Sequence, residues 1–160
     1  MPSKPPFYAQ ERPESCVPTC LRMVLSSFGI DLEESELRAR CDCTVSGTDA
    51  LKAVDAARQL GFAGTAKYTL SPQELEALVS GGHHPIAFVD MRPIDGFRAH
   101  AVIVIGTSPQ EIVVLDPLRG ERSLPFQKDS MQRGQCGATW PSSSRDKRIL
   151  SSLAPTSDPS

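Results

Sequence analysis

The sequence predicts an α+β domain, because its helical and strand signals are segregated along the chain rather than interleaved. Four segments between about residues 15 and 82 carry apolar residues at helical spacing, with recognisable start and stop residues. Short apolar runs with strand propensities follow between residues 85 and 126. The 160 residues suffice for one domain with a hydrophobic core of its own, and no internal repeat is visible.

Residues 1–9 contain Pro2, Pro5 and Pro6 and read as an extended arm. The first helix begins near Cys16, with Ser15 as N-cap; Pro18 is tolerated because first-turn N–H groups lack intrahelical partners. Val17, Leu21, Val24, Leu25 and Phe28 mark its apolar face, and Gly29 ends it. Asp31 followed by Glu34 has the capping-box spacing and opens a second helix that runs to about Cys41. A third starts at Thr48 and carries Leu51, Val54 and Leu60 before Gly61. The fourth has the clearest start: Ser71 as cap, Pro72 at the first helical position and Glu74 at the third. It carries Leu75, Leu78 and Val79 and stops at Gly81-Gly82. The period then changes. "PIAFVD" (85–90), "HAVIVIG" (100–106) and "EIVVLD" (111–116) read as strands, the last two joined by "TSPQ" into a β-hairpin. "ERSLPF" (121–126) extends the sheet. From Pro141 the chain is rich in Ser and Pro and mostly lacks periodicity, which predicts a folded domain over 1–140 and a flexible or disordered tail over 141–160.

The charge balance excludes some functions. A net charge of −2 supplies no basic surface for nucleic acid. The longest apolar stretch, "AVIVI" at 101–105, is too short to span a bilayer. "MPSKPPFYAQ" lacks the apolar core and cleavage site of a signal peptide, so a cytoplasmic, reducing compartment is the expectation. The five cysteines suit that compartment, being odd in number and without the spacing of a disulfide framework. Zinc is the rival reading, since Cys16/Cys20 and Cys41/Cys43 form two close pairs upstream of His83 and His84. Structural zinc sites use two CxxC-like knuckles, or a Cys pair with a spaced His pair. CxxxC on a helix and CxC match neither, so no metal is predicted.

Cys16 falls in the first turn of a helix, where the macrodipole and unpaired N–H groups favour a thiolate over a thiol. His100 opens the first strand of the hairpin and Asp116 closes the second. With the connection centred near Ser108, residues whose numbers sum to 216 lie opposite each other: His100 and Asp116, Val102 and Val114, Val104 and Ile112. Directly opposed Cβ atoms are about 4.5–5.5 Å apart, within reach of an imidazole–carboxylate hydrogen bond. Such a set divides the labour of thiol acyl transfer. Cys16 attacks a carbonyl, His100 moves the proton, and Asp116 holds the imidazole in the required tautomer. The tetrahedral intermediate also needs hydrogen-bond donors at its oxyanion. The backbone N–H of Cys16 is one. The side-chain amide of Gln10 is the other, if the intervening "ERPES" folds the chain back beside the thiol. "MRPIDGFRA" (91–99) is a candidate loop over the cleft, offering Arg92, Asp95 and Arg98 to a substrate. Cys20 lies one turn beyond Cys16 and reads as buried, His83 and His84 as loop residues; Cys136 and Trp140 fall in a segment without assignment.

Taken together, Gln10, Cys16, "TCLRMVLSSFGI" (19–30), "HAVIVIG" and "VLDP" (114–117) resemble the bacterial C39 peptidases and their C39-like relatives in the papain-like superfamily, over roughly residues 8–126. The resemblance implies a papain-like (C39-type) fold, its nucleophile helix packed on an antiparallel sheet that carries His and Asp. It also implies a cysteine peptidase acting on a peptide or protein through Cys16, His100, Asp116 and Gln10, without metal or organic cofactor. The best-known members remove leader peptides after a double glycine, as the N-terminal domain of peptide-exporting ABC transporters. Those members follow the cysteine with glycine, whereas this chain reads "SCVP" and carries no transmembrane or nucleotide-binding segment, so a free-standing domain is expected. The alternatives are a peptide-binding module without turnover and an acyltransferase on the same triad.

Overall fold

The computed structural model describes residues 4–68, 70–91, 97–125 and 149–150. In chain order these form α1 (Cys16–Ser27), α2 (Glu34–Arg40), α3 (Ala50–Gln59), β1 (Lys67–Tyr68), α4 (Pro72–Ser80), β2 (Ile86–Met91), β3 (Phe97–Thr107), β4 (Glu111–Asp116), β5 (Gly120–Pro125) and β6 (Ile149–Leu150). The fold is α+β, as expected. Residues 92–96 and most of 141–160, where a cleft loop and a flexible tail were expected, lie outside the described residues. Ile149–Leu150, within that tail, pairs antiparallel with β1 and β2.

Local chemistry accounts for the helices unevenly. At α4 the side chain of Ser71 accepts from the N–H of Glu74, whose carboxylate accepts from the Ser71 N–H, with Pro72 in the first turn. Asp49 caps α3 through its bond from the Leu51 N–H, one residue after the expected start at Thr48. After α1 the chain reverses at Gly29 (φ 81°), and the Ile30 N–H reaches back to the carbonyl of Leu25. The capping box expected at Asp31 and Glu34 does not form. The N-cap of α2 is Glu33, Asp31 accepts from Ser26 Oγ, and Glu34 turns inward to other partners.

The sheet runs β1-β6-β2-β3-β4-β5, antiparallel throughout. Both of its faces are covered, which explains why β3 reads as an almost continuous apolar run rather than an alternation. On one face Ile86, Ala101, Ile103 and Leu115 pack with α1, α2 and α3. On the other Ala87, Val89, Val102, Val104, Ile112, Val114 and Leu124 pack with Leu70 and with Leu75 of α4. Helix α1 is enclosed by β3, α2 and α3, so Pro18, Thr19, Cys20 and Met23 are buried along with the expected Val17, Leu21, Val24 and Leu25. Leu51, expected on the core side of α3, is instead 58% exposed; Ala53, Val54, Ala56 and Ala57 form the buried face.

Candidate functional site

Cys16 is the first residue of α1 and is half-buried. Ser15 occupies the N-cap position without capping through its side chain. Its hydroxyl stands between the carbonyl of Arg12 (2.9 Å) and Glu34 Oε1 (3.0 Å), and it accepts from the Arg12 N–H. The Ser15 N–H also returns to the Arg12 carbonyl, so residues 12–15 close a tight turn immediately before the cysteine. One turn into the helix, Cys20 Sγ donates to the carbonyl of Ala101, the residue after His100, which pins the start of α1 to β3 beside His100.

His100 and Asp116 meet, but along a different register from the one expected. The hairpin closes at Ser108 and Glu111 around Pro109-Gln110. A bulge between Val104 and Gly106 then moves the pairing from Thr107↔Ile112 to Val104↔Val114 and Ile103↔Leu115. Continued by one residue, that pairing sets Asp116 opposite Val102 rather than His100. His100 is the diagonal neighbour, two residues along the same strand. A displacement of two residues keeps a side chain on its face, whereas one residue would have reversed it. The imidazole therefore still reaches the carboxylate: His100 Nε2 lies 2.7 Å from Asp116 Oδ1, with the two residues 4% and 0% exposed.

Asp116 is held from three further sides. The Leu118 N–H donates to Oδ1 (2.9 Å), and the guanidinium groups of Arg122 and Arg119 lie 3.4 and 4.0 Å from Oδ2. Arg122 sits opposite Val114 on β5, the mirror-image diagonal to that of His100. Burial opposes ionisation of Asp116. The hydrogen bonds from His100 and Leu118 and the charges of His100 and Arg122 outweigh it, holding the carboxyl below its ordinary range. Burial likewise disfavours the imidazolium of His100. Hydrogen bonds to Asp116 and Cys16, and the negative charge of both, prevail and raise it to about 9. His100 thus pairs directly with Asp116 and feels the charge of Cys16.

Gln10 joins them through its backbone, whose N–H donates to the carbonyl of Pro117, the residue after Asp116 (2.9 Å). Its side-chain Nε2 donates to the carbonyls of Arg12 (2.7 Å) and Pro13 (3.1 Å), while Oε1 is buried without a hydrogen-bond partner. The "ERPES" segment does fold back on itself, and in this state the amide of Gln10 serves that turn.

The model of the peptidase C39 family matches residues 4–131. The chain belongs to the peptidase C39 family. Solved structures of similar fold include the double glycine motif protease from an AMS/PCAT transporter in complex with its leader peptide, at 23% identity and TM-score 0.64 over 78% of this chain and 81% of that one. The peptidase domain of Streptococcus ComA, a bifunctional ABC transporter involved in quorum sensing, aligns at 18% identity and TM-score 0.64 over 95% and 100%. A C39-like protein from Bacillus anthracis aligns at 17% and 0.66 over 94% and 96%. At these identities the likeness concerns the fold. No curated protein matches the chain. Family and fold are both those of peptidases.

The remaining candidates of this C39 domain disperse. Cys41 is buried in the core, where burial pushes its thiol up to about 12, and burial also raises that of Cys20. The thiol of Cys43 is 3.6 Å from the carbonyl of Glu14. Among the described residues no group of His, Cys, Asp and Glu side chains could hold a metal ion. His83 and His84 lie between α4 and β2, and burial with the neighbouring His83 lowers His84. Arg92, Asp95, Cys136 and Trp140 fall outside the described residues, as does the side chain of Arg98. No helix among the described residues is long and apolar enough to cross a membrane. A cavity of about 190 Å³ beside Leu75, Thr107 and Ile112 is lined by none of the site residues. Two residues escaped the sequence reading. Arg122 was legible in principle from the pairing of β4 with β5, but the local spacing marked Glu34 only as a capping residue, since its hydrogen-bond donors lie 15 to 23 residues away.

Proposed function

We propose that this domain is a cysteine peptidase in which Cys16 is the nucleophile, His100 the general base and acid, Asp116 the residue that orients the imidazole, and Gln10 a donor to the oxyanion. The observation that carries the reading is the buried 2.7 Å contact from His100 Nε2 to Asp116 Oδ1, with Cys16 among the groups that raise the same imidazole. With Nε2 committed to Asp116, Nδ1 is the nitrogen that exchanges a proton with Cys16. A His100 raised to about 9 is protonated at neutral pH, which sets a positive charge beside the sulfur of Cys16. The thiolate attacks the peptide carbonyl; the imidazolium then gives its proton to the leaving amine, and water, activated by the neutral imidazole, releases the acyl group.

At the oxyanion, the first-turn N–H of Cys16 points along the helix dipole and has no intrahelical partner by position. Gln10 Nε2 supplies the second donor on leaving the carbonyl of Pro13, the longer of its two bonds. A peptide is the substrate this geometry suits, and the transporter protease of similar fold binds a leader peptide. One observation favours the alternative of a binding module without turnover: both donors of Gln10 are engaged by its own loop. Labelling with substoichiometric iodoacetamide between pH 5 and 8, beside cleavage of a fluorogenic peptide set, decides between them. Selective modification of Cys16, lost in His100→Ala, together with cleavage abolished in Cys16→Ala, supports the peptidase. Cleavage by Cys16→Ala, or equal labelling of the thiols at every pH, sinks it.

A further inference from the structure

Glu34 is 1% exposed, yet it is a carboxylate at the start of α2. Its hydrogen bonds run to the segment that carries the proposed oxyanion donors and to the first turn of α1. The backbone N–H of Glu11 lies 3.1 Å from both Oε1 and Oε2, and Ser15 Oγ lies 3.0 Å from Oε1. Thr19 Oγ1 donates to Oε1 as well, and Arg38 Nη1 stands 3.6 Å from Oε2. Glu11 follows Gln10, Ser15 precedes Cys16, and Thr19 is one turn into α1. One carboxylate thus clamps both ends of the loop between the two donors and fixes that loop to the helix bearing the nucleophile.

A buried charge is costly unless paired and hydrogen-bonded. Glu34 meets that condition, its acceptor-only head matching converging donors. An apolar residue there would fill the space without holding the loop. Glutamine would turn an NH₂ toward a group that itself donates. We infer that Glu34 is a positioning residue for the oxyanion site, setting where the Gln10 amide and the Cys16 N–H stand relative to each other. The inference rests on the cysteine-peptidase reading above.

Two reagents isolate the effect. p-Nitrophenyl acetate acylates Cys16 through a tetrahedral oxyanion: the sulfur bonds to the acetyl carbon, the ester C–O bond breaks, and p-nitrophenolate leaves. Iodoacetamide alkylates the same sulfur by displacing iodide, with no oxyanion formed. In Glu34→Gln the acylation rate falls about 10- to 100-fold while alkylation changes little, as expected for a displaced donor. Gln10→Ala lowers the same ratio, and adding Glu34→Gln to it lowers the ratio no further. Thr19→Val, a milder change that leaves the carboxylate in place, shifts the ratio in the same direction and guards against a Glu34 variant that does not fold. A parallel fall in both reactions, an unchanged ratio in Glu34→Gln and Thr19→Val, or additive effects with Gln10→Ala overturns the positioning role and leaves the peptidase reading intact. A ratio that Gln10→Ala does not move removes Gln10 as a donor, and Glu34 with it. Failure of the wild-type thiol to be acylated overturns the peptidase reading itself.

Discussion

Asp116 is the residue on which the site turns, because it receives the imidazole of His100, the N–H of Leu118 and the guanidinium of Arg122 at once. Replacing its carboxylate weakens the hydrogen bond that is the largest influence raising His100 against burial, and removes the charge that adds to it. Asp116→Asn therefore lowers the His100 pKa, read by imidazole NMR titration, and reduces kcat/KM on the order of 10²–10⁴-fold, as loss of the triad carboxylate does in serine proteases. Cys16→Ala removes a second influence and also moves the His100 titration down from about 9 toward its ordinary 6.5. A titration unmoved by that change shows that thiol and imidazole do not interact. Because the folded value of His100 is raised, its protonation stabilises the fold fully below pH 6.5, and the contribution is lost as pH rises through about 9. The alkaline limb of the pH–rate profile falls in the same region, as a property of the coupled Cys–His pair rather than of His100 alone. Glu34 has the opposite sign. Burial pushes its carboxyl up, but hydrogen bonds from Thr19, Glu11 and Ser15 hold it below the ordinary range, so its contribution is present at neutral pH and lost as pH falls through that lowered value.

At the scale of the element, start signals were legible where the partners are local. Ser71-Pro72-x-Glu74 encodes its own cap within four residues, and the structure forms all of it. Ser71→Ala accordingly costs about 1 kcal/mol in chemical denaturation and leaves kcat unchanged, since α4 packs on the sheet face opposite α1. Asp31 and Glu34 have the same spacing, yet the box is absent because three donors from residues 11, 15 and 19 bind Glu34 more fully than the helix start could. The hairpin teaches a related lesson. Its two strands and their connection were readable from propensity, but its register depends on the bulge near Ile105 and the turn at Pro109-Gln110, which no residue pattern announces. The His–Asp contact survived the misplaced register because the error was an even number of residues.

The whole molecule divides its apolar interior between two faces of one sheet, and the two halves are expected to answer differently to damage. Leu21→Ala, in the layer shared by α1, α2 and α3, and Leu75→Ala, in the layer beneath α4, each remove a fully buried side chain and cost roughly 2–5 kcal/mol. Equilibrium melts compare the losses. Turnover per folded molecule separates them, falling in Leu21→Ala, which loosens the helix bearing Cys16, and holding in Leu75→Ala. Equal turnover in both variants contradicts a site that depends on the packing of α1.

By itself the sequence determined the fold class and the order of the main elements, and it singled out the residue types of the proposed site, because caps, periodicity and the chemistry of Cys, His and Asp are expressed within a few neighbouring positions. Only the tertiary structure decided which face α4 covers, how far the hairpin slides, where the amide of Gln10 points, and that Glu34 binds the loop instead of capping its helix. Each of those outcomes is a competition among partners distant along the chain, and hydrogen-bond donors and apolar surface go to whichever partner the packing brings within reach.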